Sequence, residues 1–175
     1  MSETSTPARA GNGPAGSGFL TGYSLAVIPC ALVGALLSGY LLYLHYFTGG
    51  HTSVFFKLCS IGAFDCARVS ASRYATIFGV PLASLGLLLY LFAIVSVVLS
   101  FAFRSSREFV VFLAVVSFWL YAVAAFSVIP LAYISAFRIR SFCLFCVITW
   151  VCNAGLLCAA YLALSRLGGE GGLSR

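Results

Sequence analysis

The chain has 175 residues, of which 62% are hydrophobic and only 8% are charged, and its mean hydropathy is +1.07. This composition is far from that of soluble domains and predicts an integral membrane protein. The net charge of +6 comes from basic residues scattered near the ends of apolar runs, which argues against a nucleic-acid-binding protein.

The polar N-terminal segment, residues 1–18, is rich in Gly, Pro, Ser and Ala and is predicted to be a disordered tail. The first apolar run, residues 19–47, is too long for a signal peptide and has no clear cleavage site, so we interpret it as a membrane span. Further apolar runs follow at residues 78–103, 109–137 and 142–164.

Each of the four runs is longer than the ~20 residues that cross a bilayer. None contains Asp, Glu, Lys or Arg, each of which costs about 2.5–3.5 kcal/mol at the centre of a membrane helix. The predicted fold is therefore an all-α integral membrane protein. Its four-transmembrane-helix bundle occupies residues 19–165, with a long cysteine-bearing external loop between helices 1 and 2 and a tail at 166–175.

The loop between the first two spans, residues 48–77, is much longer than the other connections and is not of low complexity. Connections of this length are usually functional or disordered. Its end, CARVSASRYATIF, predicts a short amphipathic helix that leads into the second span. Gly79 and Pro81 suit a bend at the start of that span.

The chain has seven cysteines, at positions 30, 59, 66, 143, 146, 152 and 158. Their positions divide them into two classes. Cys59 and Cys66 lie in the long loop and can close a small disulfide loop, whereas Cys143 and Cys146 form a Cys-x-x-Cys at the start of the fourth span. Connectivity alone places both pairs on one side of the membrane. The other three cysteines are interpreted as small hydrophobic residues of the helices.

The stretch SFCLFCVITW, which opens the fourth span, has the features of a redox-active dithiol. Ser141 is predicted to cap the helix, so that Cys143 lies in the first turn, where free amides and the helix dipole favour a thiolate. Arg138 and Arg140 add positive charge nearby. Cys146 lies one turn deeper, among apolar residues, where a lipid-soluble quinone dissolves.

These positions predict a relay in which the loop pair exchanges electrons with soluble thiols and passes them to the helix pair, which reduces a quinone. Trp150 and Asn153 share a helical face with Cys146 and offer the quinone a stacking ring and hydrogen bonds. A zinc site is disfavoured because only one cysteine pair is closely spaced. A non-catalytic membrane scaffold with one structural disulfide is the alternative from a different functional class.

The segments CARVSASRYATIFG and CLFC, together with the preceding loop cysteine, resemble the vitamin K epoxide reductase family, in particular its small bacterial members. The resemblance implies a four-helix bundle around a quinone, which is ubiquinone, menaquinone or phylloquinone. It assigns catalytic roles to Cys59, Cys66, Cys143 and Cys146. It also places the family's conserved serine at Ser72 and the Phe-Gly of the motif at Phe78, and it implies that both residues line the quinone site.

In family terms, Cys59 faces a partner, Cys66 passes electrons to Cys143, and Cys146 contacts the quinone. The resemblance further implies a bacterial inner membrane with both termini in the cytoplasm and the cysteines on the periplasmic side. The chain is too short to contain the fused thioredoxin-like domain of many relatives, so a separate thioredoxin-fold, DsbA-like partner is expected.

The chain departs from the vertebrate members of the family at two places. Vertebrate members carry Tyr four residues after the second helix cysteine, where this chain has Trp150, and Asn in the second span, where Ser84 is the polar candidate here. The resemblance therefore leaves open reduction of vitamin K epoxide or of a quinone by the same cysteines. The order of the cysteine pairs is the reverse of that in DsbB-type proteins.

Overall fold

The computed structural model describes residues 15–47, 66, 69, 72–77 and 79–172. Over these ranges the chain forms four long helices: α1 Ala15–Phe47, α2 Leu82–Ala102, α3 Arg107–Tyr133 and α4 Leu144–Gly172. Each helix is long and apolar enough to cross a membrane. The prediction of an all-α, four-helix membrane bundle is confirmed, and the protein is an integral, multi-pass membrane protein.

The four helices pack so that α1 lies between α2 and α4, while α3 packs mainly against α4. The centre of the bundle is a buried cluster to which α1 contributes Val27 and Ala31 and α4 contributes Leu156. Large apolar side chains such as Leu36 and Phe126 remain 72% and 75% exposed, respectively. The helices are therefore apolar on all sides, as expected where the outward-facing side chains contact lipid.

Tyr90 of α2 connects three of the helices. Its ring covers Gly34 of α1 so closely that any side chain at Gly34 would overlap it. Its hydroxyl donates a 2.8 Å hydrogen bond to the backbone carbonyl of Thr149 in α4. Small residues at such crossings let the helix backbones approach, and a buried phenol needs a hydrogen-bond partner.

The segment before α2 differs from the prediction. Cys66 and Val69 have helical backbone, but the chain then forms a 3₁₀ turn, Arg73–Ala75, and a two-stranded antiparallel hairpin of β1 Thr76–Ile77 and β2 Val80–Pro81. The predicted amphipathic helix is therefore wrong over the hairpin, where β-branched residues and a glycine with φ of 81° favour strands and a tight turn.

Pro81 ends the hairpin and immediately precedes α2. The second helix therefore begins at Leu82 and not at residue 78. Ser84 is the polar candidate of the second span. Its hydroxyl donates a 2.7 Å hydrogen bond to the Pro81 carbonyl. This hydroxyl is used at the helix start, whereas the Tyr90 hydroxyl extends across the interior of the bundle to α4.

The connection from α3 to α4 turns through an unusual backbone. A π-helix, Ile134–Ile139, continues α3 after Pro130, and Arg140 then has a left-handed conformation with φ of 54°. The Ser141 amide donates to the Ser135 carbonyl at 3.2 Å, which folds the chain back toward the bundle. This turn places Cys143 directly before α4.

Candidate redox site

The loop and the fourth helix meet at Cys66 and Cys143. Their sulfur atoms lie 3.2 Å apart although 77 positions separate them in the sequence. Both side chains are buried, with 0% and 3% of their surface exposed, respectively. A contact between two sulfur atoms is the geometry from which thiol-disulfide exchange proceeds.

The two sulfur atoms belong to a buried cluster that is separate from the main core. Tyr40 of α1, Val69, Phe145 and Cys146 pack against it. The rings of Tyr40 and Phe145 meet edge to face, with centroids 6.0 Å apart. Tyr40, Val69 and Phe145 thus cover the two sulfur atoms with apolar surface where they face the helix bundle.

The described cysteines differ in oxidation state. Cys66 is disulfide-bonded, and its partner lies outside the described residues. Cys143 and Cys146 are free thiols, as are the three other cysteines of the helices. The contact therefore joins a disulfide sulfur to a thiol, and the Cys143 thiol donates the hydrogen bond. Cys59, a predicted site residue, lies outside the described residues.

Cys143 itself caps α4, which corrects the prediction that Ser141 does so. The Cys143 carbonyl accepts the first helical hydrogen bond, from the Val147 amide at 3.1 Å. Its sulfur accepts hydrogen bonds from the backbone amides of Phe145 and Cys146. A sulfur atom thus takes the place of the side-chain oxygen that usually caps a helix. Ser141 lies two residues before Cys143, where it is buried and directly follows the left-handed Arg140.

This environment lowers the pKa of the Cys143 thiol, which precedes the membrane-spanning part of α4. The largest cause is a hydrogen bond from the Cys146 side chain, and the two backbone amides at the helix start act in the same direction. Burial opposes them by disfavouring charge. Cys143 is accordingly the thiol of the pair that is favoured as a nucleophilic thiolate.

Cys146 lies one turn inside α4 and is half-buried. Its backbone carbonyl accepts a 2.8 Å hydrogen bond from the Thr149 hydroxyl, and the Thr149 carbonyl in turn accepts from Tyr90. This chain anchors the first turns of α4 to α2. Tyr90 and Tyr40 were not among the residues predicted from the sequence, although a tyrosine within an apolar span is a signal that could have identified them.

The four residues predicted to contact a quinone differ in their burial and in their hydrogen bonds. Ser72 donates its hydroxyl to the Val69 carbonyl at 2.7 Å, within its own turn. Trp150 is half-buried on α4, and Asn153 is 5% exposed. The side-chain oxygen of Asn153 has no hydrogen-bond partner among the residues that the structure describes. Phe78 lies outside those residues.

Comparison with known proteins gave one match. The model of the "Vitamin K epoxide reductase family" matches residues 25–161, which include both members of the helix cysteine pair and both predicted loop cysteines. Comparisons with curated proteins and with solved structures gave no match. The matched range covers most of the chain, with α2 and α3 complete and the larger part of α1 and of α4. The chain therefore belongs to the vitamin K epoxide reductase family, whose members are membrane thiol-disulfide oxidoreductases that act with quinones.

Proposed function

We propose that this protein generates disulfides by passing electrons from a soluble dithiol carrier to a membrane quinone. The carrier is a separate thioredoxin-fold, DsbA-like protein, and the route runs through Cys59 and Cys66 to Cys143 and Cys146. The contact of 3.2 Å between the Cys66 and Cys143 sulfur atoms carries this proposal, because it joins the loop to the helix pair. Without such a contact the loop cysteines and the Cys-x-x-Cys would be two unconnected features.

The transfer from loop to helix is a sequence of thiol-disulfide exchanges. The carrier dithiol reduces the Cys59–Cys66 disulfide and is itself oxidised. The Cys66 thiolate then attacks Cys143 within the Cys143–Cys146 disulfide, so that a Cys66–Cys143 bond forms and Cys146 leaves as a thiolate. Cys59 next attacks Cys66 and releases Cys143. Two electrons have then moved from the loop pair to the helix pair.

The oxidation states in the structure agree with the end of this sequence. Cys66 is disulfide-bonded, and Cys143 and Cys146 are free thiols. We assign Cys59 as the partner of Cys66 in this state. The lowered pKa of Cys143 supports its role as the sulfur released in the last exchange, since the thiol with the lower pKa is the better leaving group.

Several groups of α4 fit a quinone near Cys146. A quinone bound there would supply the oxidant for the helix pair: the Cys143–Cys146 dithiol would give up two electrons and two protons and form its disulfide again. The unpartnered oxygen of Asn153 can accept a hydrogen bond from a quinol hydroxyl, and the amide nitrogen can donate to a quinone carbonyl. An unpaired buried amide oxygen is costly, which favours a ligand at this position. Trp150 offers the ring face for stacking.

The two motif residues before α2 are proposed to shape the same site. The Ser72 hydroxyl closes the turn after Val69, so we assign Ser72 the role of positioning the segment that carries Cys66. Phe78 is proposed as an apolar wall of the quinone site, on the basis of the family motif alone. For the whole protein we propose a bacterial inner membrane location, with the relay in the oxidising periplasm and both termini in the cytoplasm.

Quinone absorbance provides the test of this function. Purified protein is mixed with a reduced thioredoxin-fold carrier and either ubiquinone or menaquinone, and quinone reduction and carrier oxidation are followed together. Stoichiometric loss of quinone and of carrier thiols is expected. The Cys143→Ser variant is the control for direct reaction between carrier and quinone. Wild-type turnover no faster than this control would contradict the proposal and favour the scaffold alternative.

A further inference from the structure

A second pair of thiols lies inside the bundle, apart from the relay. Cys30 of α1 and Cys152 of α4 lie in the same part of the bundle core, where their thiol groups are close enough to interact. Both are free thiols, and Cys152 is buried with 8% of its surface exposed. Cys30 packs against the core cluster that contains Cys152. Their interpretation from sequence as isolated small hydrophobic residues did not include this contact.

The packing at Gly155 keeps the two sulfur atoms together. The Cys30 sulfur lies 3.3 Å from the position that a Cβ at Gly155 would occupy. Gly155 is almost one helical turn beyond Cys152, on the same side of α4. Because Gly155 has no side chain, the Cys30 sulfur rests directly on the α4 backbone beside Cys152. The pair therefore occupies a close crossing of α1 and α4.

The pair is remote from the relay cysteines. At about 1.5 Å of rise per residue, Cys152 lies about 9 Å further along α4 than Cys146. Thiol-disulfide exchange requires direct contact between sulfur atoms, so Cys146 does not exchange with this pair. Both cysteines lie within the spans Gly22–Tyr43 and Leu144–Leu167. An oxidant that reaches them must therefore dissolve in the membrane.

We propose that Cys30 and Cys152 form a second redox-active dithiol, which a membrane quinone oxidises to a disulfide between α1 and α4. Two S–H bonds break and one S–S bond forms, and the two electrons and two protons pass to the quinone, which becomes the quinol. The quinone is the oxidant with which the family acts. The disulfide joins the two helices that contribute Tyr40 and the Cys-x-x-Cys to the relay site.

The test is mass spectrometry of non-reduced peptides from purified, reduced protein incubated with ubiquinone-1. All ring carbons of this quinone are substituted, so a thiol cannot add to the ring. Chymotryptic cleavage after Trp150 separates Cys152 from the relay cysteine Cys146. We expect a peptide pair linked through Cys30 and Cys152. Cys158, an exposed cysteine of the same helix, should not link to Cys30.

Two variants make the result specific. A variant with Ser at positions 59, 66, 143 and 146 retains three cysteines, and quinone should reduce its alkylatable thiols from three to one, because the interior pair forms a disulfide and Cys158 stays free. The Gly155→Ala variant should lower the yield of the Cys30–Cys152 link several-fold, since the added methyl group displaces the Cys30 sulfur. Because the first measurement uses the wild-type protein, it does not depend on whether the fourfold variant folds.

The outcomes separate this inference from the proposed relay. Absence of the Cys30–Cys152 link in a preparation that oxidises the carrier would overturn the second dithiol and leave the relay intact. Formation of the link in a preparation that does not oxidise the carrier would support the second dithiol and contradict the relay. If Gly155→Ala and wild-type protein gave equal yields of the Cys30–Cys152 disulfide, the close crossing at Gly155 would not be what holds the two sulfur atoms together.

Discussion

The Cys66 sulfur lies 3.2 Å from the Cys143 sulfur, and it belongs to a disulfide whereas Cys143 is a free thiol at the start of α4. The contact is buried between the segment before α2 and the first turn of the last helix. It brings together two parts of the chain that are distant in sequence, and in the proposed relay it is the point at which electrons pass from the loop to the helix pair.

Single replacement of each relay cysteine by Ser should abolish turnover with a dithiol carrier, since each exchange needs all four sulfur atoms in turn. With dithiothreitol as reductant, loss of Cys59 or Cys66 should reduce the rate much less than loss of Cys143 or Cys146. The small reductant can attack the helix disulfide directly. Steady-state quinone reduction with each reductant measures the difference.

The matched control for this series is replacement of the cysteines at 30, 152 and 158 together by Ala. This triple variant should retain turnover, because none of the three contacts the sulfur atoms of the relay. A folded but inactive triple variant would show that the relay needs a thiol outside the four proposed cysteines.

Alkylation of Cys143 should depend on pH in a way that reflects its lowered pKa. Only the thiolate reacts, so in fully reduced protein the rate should reach half of its maximum at a lower pH than for an ordinary thiol. The Cys146→Ala variant loses the thiol that donates the main stabilising hydrogen bond, so its midpoint should move upward. In Cys146→Ser the hydroxyl, a stronger donor than a thiol, can replace this bond, so the midpoint should move less than in Cys146→Ala.

Iodoacetamide labelling, quantified by mass spectrometry of the Cys143 peptide at a series of pH values, measures these midpoints. A Ser105→Cys variant, whose new thiol lies in the exposed turn between α2 and α3, serves as the reference. Identical midpoints for wild-type protein and Cys146→Ala would contradict the assigned cause of the pKa shift.

The Tyr90→Phe variant should destabilise the bundle modestly, because it removes the hydroxyl that donates to the Thr149 carbonyl. One hydrogen bond between membrane helices contributes about 0.6 kcal/mol on average. At about 2–4 °C per kcal/mol for a chain of this size, the expected decrease in Tm is about 1–3 °C. Tyr161→Phe, at a residue that is 60% exposed, is the control and should leave Tm unchanged.

The Gly34→Ala variant should be more disruptive, because the new methyl group overlaps the Tyr90 ring. Overpacking of a helix crossing costs about 1–3 kcal/mol. Thermal unfolding in detergent measures both changes. A Gly34→Ala protein as stable as the wild type would mean that Tyr90 does not fill this crossing.

Topology gives a prediction that is independent of the chemistry. In intact cells treated with a reductant, a membrane-impermeant thiol reagent should label Cys59 of the loop and should not label a Ser105→Cys variant at the α2–α3 turn. The reverse pattern would place the relay in the reducing cytoplasm and remove the case for disulfide formation.

Features that depend on composition and connectivity could be predicted from the sequence. Four charge-free runs are sufficient to identify the membrane helices, and their order alone brings the loop and the start of α4 to the same side. The contact between Cys66 and Cys143 lies where this reasoning expects the two pairs to meet.

Features that depend on local backbone geometry or helix register were missed. The π-helix and the left-handed Arg140 move the start of α4, so Cys143 and not Ser141 caps it. Gly79 and Pro81 indicated a bend before α2, but the antiparallel pairing of β1 with β2 has too few residues to give an alternating pattern in the sequence. The Cys30–Cys152 contact depends on how α1 and α4 face each other, and helices that are apolar on all sides give no pattern from which to infer this.

The most direct test of the relay is to trap the proposed Cys66–Cys143 disulfide. In a protein with both Cys59→Ser and Cys146→Ser, the two cysteines that would break this bond are absent. Mild oxidation followed by mass spectrometry of non-reduced peptides should then find Cys66 linked to Cys143 in most molecules. A variant with Cys59→Ser and Cys143→Ser is the control and should lack this link. A free Cys66 in the first variant, or one linked to a cysteine of the bundle interior, would contradict the relay.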